Sequence, residues 1–494
     1  MIAASRLWTT SDMDRRLRAS GLPVLLTGLT LVGFIAIQTT SILLAADANW
    51  ALFLPLMLIG MLVVLWVISR AIAGSTSAII AYLALVLFIT DGAFRVRGAG
   101  DIATDWQSAL KFALWTGAGI IGVAHMPRLS TLLGRTGPAC WLAYIVMAMV
   151  SASYAPAPAY SFGCAFSLLC LLAFAFAITT KLTESQFLST LVITLTAFLL
   201  VGWVVYYKDP ALGTSQFTIN GGPIVTRMAG IAGQADNLGS VCAKYLGAIF
   251  LLWMSGRYRL LVALPLAAIG IATLFAADAH TGMIAIAVAI AGTFAARSTW
   301  GLFAAALTAA LFFLIFYVGG FDPNAIGSYV SRSGDAHEAF TLTGRVDIWN
   351  FVWQKVLEQP MFGWGYNSSK VILSHYFGFQ DGLMVDTSHD LLLQSLLSVG
   401  FIGTAPILIL LCYLIFQLIS RPNFFRDLFL ILIIVDGITD TGALGTTPTV
   451  LTLLFLVISI LPPTASKKQN SNAAAPSPFV GPVRRRAELR PTFG

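Results

Sequence analysis

Charge is the scarcest thing in this sequence. Asp, Glu, Lys and Arg together make up 10% of its 494 residues, against about 25% in an ordinary soluble domain. A surface so poor in charge cannot face water on every side, so the solvent must be lipid. In lipid every backbone amide needs a partner within the chain, which leaves helices and closed barrels as the spanning structures. The alternation of apolar and polar residues that marks a barrel strand is missing. Continuous apolar runs of roughly 17–25 residues stand in its place, the length a helix needs to cross the hydrocarbon. Cysteine is scarce too. Cys140, Cys164, Cys170, Cys242 and Cys412 lie in or beside apolar runs with no ligand spacing. They read as small apolar fillers rather than as disulfides or metal ligands. There is no P-loop, no dinucleotide-binding glycine pattern and no HExxH motif. The only Asp-x-Asp is Asp12-Met-Asp14, in the N-terminal tail. Nothing points to a metal or an organic cofactor. The net charge of +7 is what an excess of Lys and Arg in cytoplasmic loops produces, and is not a nucleic-acid signal.

What is present is a series of apolar runs: 22–46, 51–69, 74–90, 108–125, 138–154, 159–180, 187–207, 237–254, 260–277, 281–296, 301–319, 391–419, 425–440 and 446–461. The expected fold class is all-α, a polytopic integral membrane protein of about 12–14 transmembrane helices. The first run follows Arg15-Arg16-Leu17-Arg18; it is too long for a signal-peptide core and reads as a retained helix. With the N-terminus in the cytoplasm, Arg70, Arg128, Arg135, Lys181, Arg257, Arg259, Arg297, Arg421 and Arg426 all fall in inner loops. The outer arginines Arg95 and Arg97 are balanced by Asp91, Asp101 and Asp105. That is the positive-inside pattern. The expected organisation is a cytoplasmic tail at 1–21, helices 1–11 over 22–319 with an outer loop at 208–236, a large periplasmic loop with short helices at 320–388, three last helices over 389–461, and a disordered basic tail at 462–494. No repeat of 20–50 residues and no pair of matching halves is visible, which counts mildly against a transporter.

Chemistry-bearing residues gather in the two long outer segments. Arg227 is the only Lys or Arg between Lys208 and Lys244. It sits in a Gly-rich stretch, Arg227-Met-Ala-Gly-Ile-Ala-Gly-Gln-Ala-Asp-Asn237, so its partner must come from elsewhere. Thr341-Leu-Thr-Gly-Arg345-Val-Asp-Ile-Trp349 opens a helical pattern in which Val346, Trp349, Val352, Trp353, Val356 and Leu357 form one apolar face. Arg345 in its first turn beside free amides makes an anion site; the plainer alternative is a pair with Asp347 or Glu358. Pro360-Met-Phe-Gly363-Trp-Gly365 is either a tight turn or part of a sugar site, and alone it favours the turn. Thr387-Ser-His389-Asp390 precedes an apolar run, with Thr387 and Asp390 matching a capping box. That would fix His389 at the mouth of a membrane helix, where the helix dipole favours the neutral imidazole a general base needs. The alternative is a surface histidine at the interface.

Taken in order, these motifs resemble the O-antigen ligase and Wzy-type polymerase superfamily, nearest to ExoQ-like exopolysaccharide polymerases. The resemblance is dense from Thr341 to Gly403, thinner from Arg227 to Asn237, and elsewhere rests on topology. It implies a bacterial inner-membrane enzyme with its active site facing the periplasm. The donor would be a glycan on undecaprenyl pyrophosphate, transferred to a hydroxyl of a glycan acceptor without metal or cofactor. Arg227 and Arg345 would bind the pyrophosphate and His389 would be the base, with Asp390, Trp349, Gly363, Gly365 and Asn237 in support. A flippase and a chain-length regulator would be partners besides membrane lipids. The alternative within the family is a ligase that uses lipid A–core as acceptor; outside it, a polysaccharide transporter. The sequence departs from the family pattern twice. Asp390 follows the histidine where Asn is frequent, and Ala279-His280 stands where Ser-Arg is frequent.

Overall fold

The computed structural model describes residues 54–98, 100–103, 105–217, 225–298, 300–301, 303, 345–376, 385–439 and 442–461. The expected helix at 22–46, nearly all of the one at 301–319, the loop up to residue 344 and the basic tail lie outside the described residues. In chain order the elements are α1 (Leu54–Ile72), α2 (Thr76–Thr90), α3 (Trp106–His125), α4 (Leu129–Leu133), α5 (Thr136–Ser151), α6 (Pro158–Lys181), α7 (Glu184–Lys208), α8 (Pro210–Gly213), β1 (Thr214–Phe217), β2 (Val225–Met228), α9 (Ala235–Met254), α10 (Leu260–Ala277), α11 (His280–Ala295), α12 (Arg345–Glu358), α13 (Ser369–Tyr376), α14 (Leu391–Ser420), α15 (Phe424–Thr439) and α16 (Val450–Ile460).

The protein is an all-α polytopic membrane protein. Where an expected apolar run falls within the described residues, a helix stands there. The ends differ by at most four residues, at the start of α16, expected at 446 and found at Val450. Among the described residues, five helices, α6, α7, α9, α10 and α14, are at least 18 residues long and apolar enough to cross a bilayer. Close packing comes from small residues, as in other membrane bundles. A Cβ on Gly122 of α3 would lie 2.1 Å from the Ala173 carbonyl carbon of α6.

The helices sort the loops onto two faces. On one, His125 meets the Ala71 carbonyl at 2.9 Å, Arg135 donates to Ile460, and Arg297 reaches Asp427 at 3.5 Å. On the other, Asp91 at the end of α2 pairs with Lys244 and accepts from the Val450 amide.

Lys244 is the tenth of the 20 residues of α9 and is 2% exposed. Its ammonium lies 3.0 Å from Asp91, and a charge at that depth is tolerated only because it is paired. The outer loop before α9 contains a hairpin, β1 and β2 paired antiparallel with Ser215 opposite Arg227. Two local expectations need correction. The first concerns α12. Its buried face is Ile348, Val352 and Val356, packed with Leu373, Val385 and Leu397. Trp353 and Leu357, expected on that face, are exposed together with Met361 and Phe362. Apolar periodicity does not separate a face turned to protein from one turned to lipid, and a stripe rich in Trp and Phe suits a membrane–water interface. Second, the helix after His389 is capped by Asp390 alone rather than by Thr387.

Candidate active site

Arg227 is built into the site from three sides. The hairpin places it on β2 opposite Ser215, and its side chain is 5% exposed. Its Nε donates to the Ala277 carbonyl at 2.8 Å, and one terminal nitrogen donates to the Asp278 carbonyl at 3.0 Å. Both carbonyls belong to the C-terminal end of α10, where the helix dipole favours a cation. Asp278 itself takes the left-handed conformation, φ 46°, that ends the helix. The same Arg227 nitrogen lies 2.7 Å from Asp236 Oδ1.

Asp236 is the junction of the site. Its other oxygen, Oδ2, lies 3.6 Å from Arg345. The two arginines, 118 positions apart in the sequence (345 less 227), therefore converge on one carboxylate in the first turn of α9. Arg345 pairs with Asp236, not with Asp347 or Glu358 as its plainer reading would have it. Trp349, one turn along α12 from Arg345, has its indole Nε1 buried without an acceptor among the described residues. On the far side of Arg227, His280 Nε2 is 3.1 Å from Asp278 Oδ1, so the turn holding Ala279-His280 borders the site through Asp278.

His389 stands just before α14. Its φ of +51° is a left-handed conformation, uncommon for a residue other than glycine and costly enough to need support. The support is a polar network. Asp390 Oδ1 accepts from the Leu393 amide at 2.7 Å and caps the helix. Burial pushes the Asp390 carboxyl above the usual carboxylate range, against the hydrogen bonds from the Leu393 and Leu392 amides that lower it. Gln394, fully buried, ties three segments together. Its Oε1 accepts from the Ser388 amide at 3.0 Å, and its Nε2 donates to Ser369 Oγ at 2.7 Å and to the Gly445 carbonyl at 2.9 Å.

The glycines of Pro360-Met-Phe-Gly363-Trp-Gly365 serve the backbone of α14. That helix breaks at Gly400, where φ is 66° and ψ −171°. The break frees carbonyls and amides that the loop then satisfies. Trp364 N and Gly365 N donate to the Leu397 and Ser398 carbonyls at 2.8 and 2.9 Å, and Phe401 N and Ile402 N donate to the Pro360 and Met361 carbonyls at 2.8 and 3.2 Å. Such replacement is required for irregular backbone in a membrane bundle. A Cβ on Gly363 would lie 2.6 Å from Gly400 N. This staple joins the C-terminal end of α12 to the middle of α14, and the cluster around Val352 and Leu397 fills the space between them. Arg345 and His389 lie at the ends of the two segments away from it, by helical rise roughly 22 and 17 Å off.

Asn237, beside Asp236, turns to a different space. It lines a cavity of about 200 Å³ with Asp91, Lys111, Ser240, Lys244, Thr447 and Thr449. Lys111 reaches the Thr90 carbonyl at 2.9 Å, and Ser240 donates to Asp436 at 2.8 Å. In the segment that leads into α3, Asp105 binds Arg95 at 2.6 Å and also Arg97. Burial raises the Asp105 carboxyl, but the Ser108 hydrogen bonds and the charges of Arg97 and Arg95 outweigh it and leave the group below its ordinary range.

Asp236 is the residue that sequence reasoning missed; Gln394 lies in the stretch from Thr341 to Gly403 that carries the resemblance, with no role of its own there. An acid in a first helical turn reads as an ordinary dipole partner, and a lone Gln in an apolar run carries no signal of its own.

Comparison with curated proteins finds no match. Residues 265–408 match the family model Wzy_C, described as O-antigen ligase. The matched stretch runs from α10 into α14 and contains Arg345, Trp349, the glycine staple, His389 and Asp390. It stops short of Arg227, Asp236 and Asn237. Over residues 265–408 the chain is thus similar to the O-antigen ligase and Wzy superfamily, and that similarity, on an all-α membrane bundle, supports a membrane enzyme of glycan polymerisation or ligation.

Proposed function

We propose that the protein polymerises undecaprenyl-pyrophosphate-linked oligosaccharide repeat units on the periplasmic face of the bacterial inner membrane, without a metal. The observation that carries this reading is the convergence of Arg227 and Arg345 on one point. Two guanidiniums facing a shared anion suit a pyrophosphate, whose departure calls for charge stabilisation more than for a proton. In the proposed step the acceptor hydroxyl gives its proton to the neutral His389 imidazole. Its oxygen bonds to the anomeric carbon of the donor's reducing-end sugar. The bond from that carbon to the pyrophosphate breaks, and the lipid pyrophosphate leaves with its charge offset by the two arginines. Asp390, spent on capping the helix, holds His389 in place. Trp349 offers an indole N–H to substrate.

A ligase uses the same chemistry with lipid A–core as acceptor, and the description of the matched family favours keeping it as the second reading. The test is to give purified protein lipid-linked repeat units alone, then with lipid A–core. A ladder of lipid-linked oligomers from repeat units alone supports the polymerase. Transfer seen only when lipid A–core is present overturns it in favour of the ligase. Sidedness is tested by a reporter fused at residue 335, which lies in the loop expected outside. A periplasmic-type signal is expected, and a cytoplasmic-type one contradicts the proposed orientation.

A further inference from the structure

We infer that Asp236 is an internal counter-anion that holds the arginine pair between turnovers and gives way to the donor's pyrophosphate. The inference rests on the reading of Arg227 and Arg345 as pyrophosphate ligands and adds a residue, with a direction of effect, to it. Asp236 uses its two oxygens on different partners, Oδ1 at 2.7 Å from Arg227 and Oδ2 at 3.6 Å from Arg345. It thus fills the position between two cations that an incoming anion would need. The carboxylate is also the most open of the three side chains, 29% exposed against 5% and 15% for Arg227 and Arg345. An anion arriving from outside meets Asp236 first.

The contacts are unequal in a way that suits exchange. Arg227 keeps two neutral acceptors, the Ala277 and Asp278 carbonyls, so it stays in place when the carboxylate turns away. The Arg345 contact is longer than a hydrogen bond allows, a reach that the longer O–P–O–P–O span of a pyrophosphate would close. The first turn of α9 adds its own attraction, since a helix N-terminus favours an anion and Gln234 at the N-cap makes no side-chain cap bond there. After transfer, re-pairing of Asp236 competes with the lipid pyrophosphate and helps it leave.

Such a competitor has an unusual signature: removing it strengthens ligand binding. A residue that merely orients the arginines would show the opposite. The experiment measures binding of inorganic pyrophosphate to purified full-length wild type, Asp236→Asn, Asp236→Glu and Arg345→Ala, together with donor turnover. Asp236→Asn is expected to bind pyrophosphate roughly tenfold more tightly, the scale of one part-exposed charge contact. Its KM for donor should fall, and its kcat should fall as product release slows. Asp236→Glu should stay near wild type. Asp236→Ser serves as a second neutral variant if the Asn protein is not recovered folded, and should tighten binding likewise. If wild type binds, Arg345→Ala does not, and Asp236→Asn binds equally or more weakly, the exchange is overturned while the arginine assignment stands. If pyrophosphate binds none of the proteins, or binds Arg345→Ala as well as wild type, both are overturned.

Discussion

The two halves of the site are held by different forces. On the arginine side the contacts are ionic and shared, with one carboxylate serving two guanidiniums. On the histidine side they are fixed hydrogen bonds, neutral apart from the Asp390 cap of the helix. Gln394 spends its amide on three fixed partners, and the loop at Gly363 replaces the backbone hydrogen bonds lost at Gly400. Ionic contacts can be exchanged for those of a charged ligand at little net change. Neutral hydrogen bonds buried in a bundle have no replacement, because an unmet partner costs roughly 1–3 kcal/mol. The division matches the proposed chemistry: the half that must accept and release a pyrophosphate is exchangeable, and the half that must aim a base is rigid.

Substitutions on each side should therefore fail in different ways. The largest effect is expected on the ionic side. Arg227→Ala and Arg345→Ala should each abolish polymer while the protein remains in the membrane at normal level. Arg345→Lys should be strongly impaired, because an ammonium cannot make the two-pronged contact of a guanidinium. Near-normal polymer from Arg345→Lys would leave only a point charge at that position. Gly363→Ala should act through folding instead. Its φ of +68° and the 2.6 Å approach to Gly400 N make the new methyl cost on the order of 1–3 kcal/mol. A lower melting temperature and less protein in the membrane should result, and unchanged thermal stability would refute the staple. Smaller still, Gln394→Ala should lower turnover by loosening the segment before His389 and leave pyrophosphate binding unchanged. Equal losses of turnover and binding in that variant would erase the distinction between the halves.

How far the sequence reaches follows the same division. Arg227, Arg345 and His389 stand out because cations and a histidine are rare in a chain with 10% charged residues. Spans are legible because lipid demands long apolar runs. What joins the chemistry together is less visible. Asp236 resembles any acid at a helix start, and its pairing with Arg345 needs two segments more than 100 positions apart to meet. Gly400 is a single glycine in a run that otherwise reads as continuous helix, so the break there is silent until the loop at 360–365 is seen against it. The strands around Arg227 have four residues each, too few to show alternation. The buried face of α12 was misassigned for a physical reason: Trp353 and Leu357 are as apolar as Val352 and Val356, yet exposed.

The central claim is that the arginines hold the donor while His389 does chemistry on the acceptor. The most direct test is His389→Ala, with turnover of lipid-linked repeat units followed over pH and donor binding measured separately. Turnover should fall by roughly 10²–10⁴-fold, the usual worth of general acid–base catalysis. The rising limb that wild type shows as imidazole loses its proton should vanish, and donor affinity should stay within about threefold. Full turnover in the variant, or loss of donor binding in proportion to the loss of turnover, would contradict the assignment.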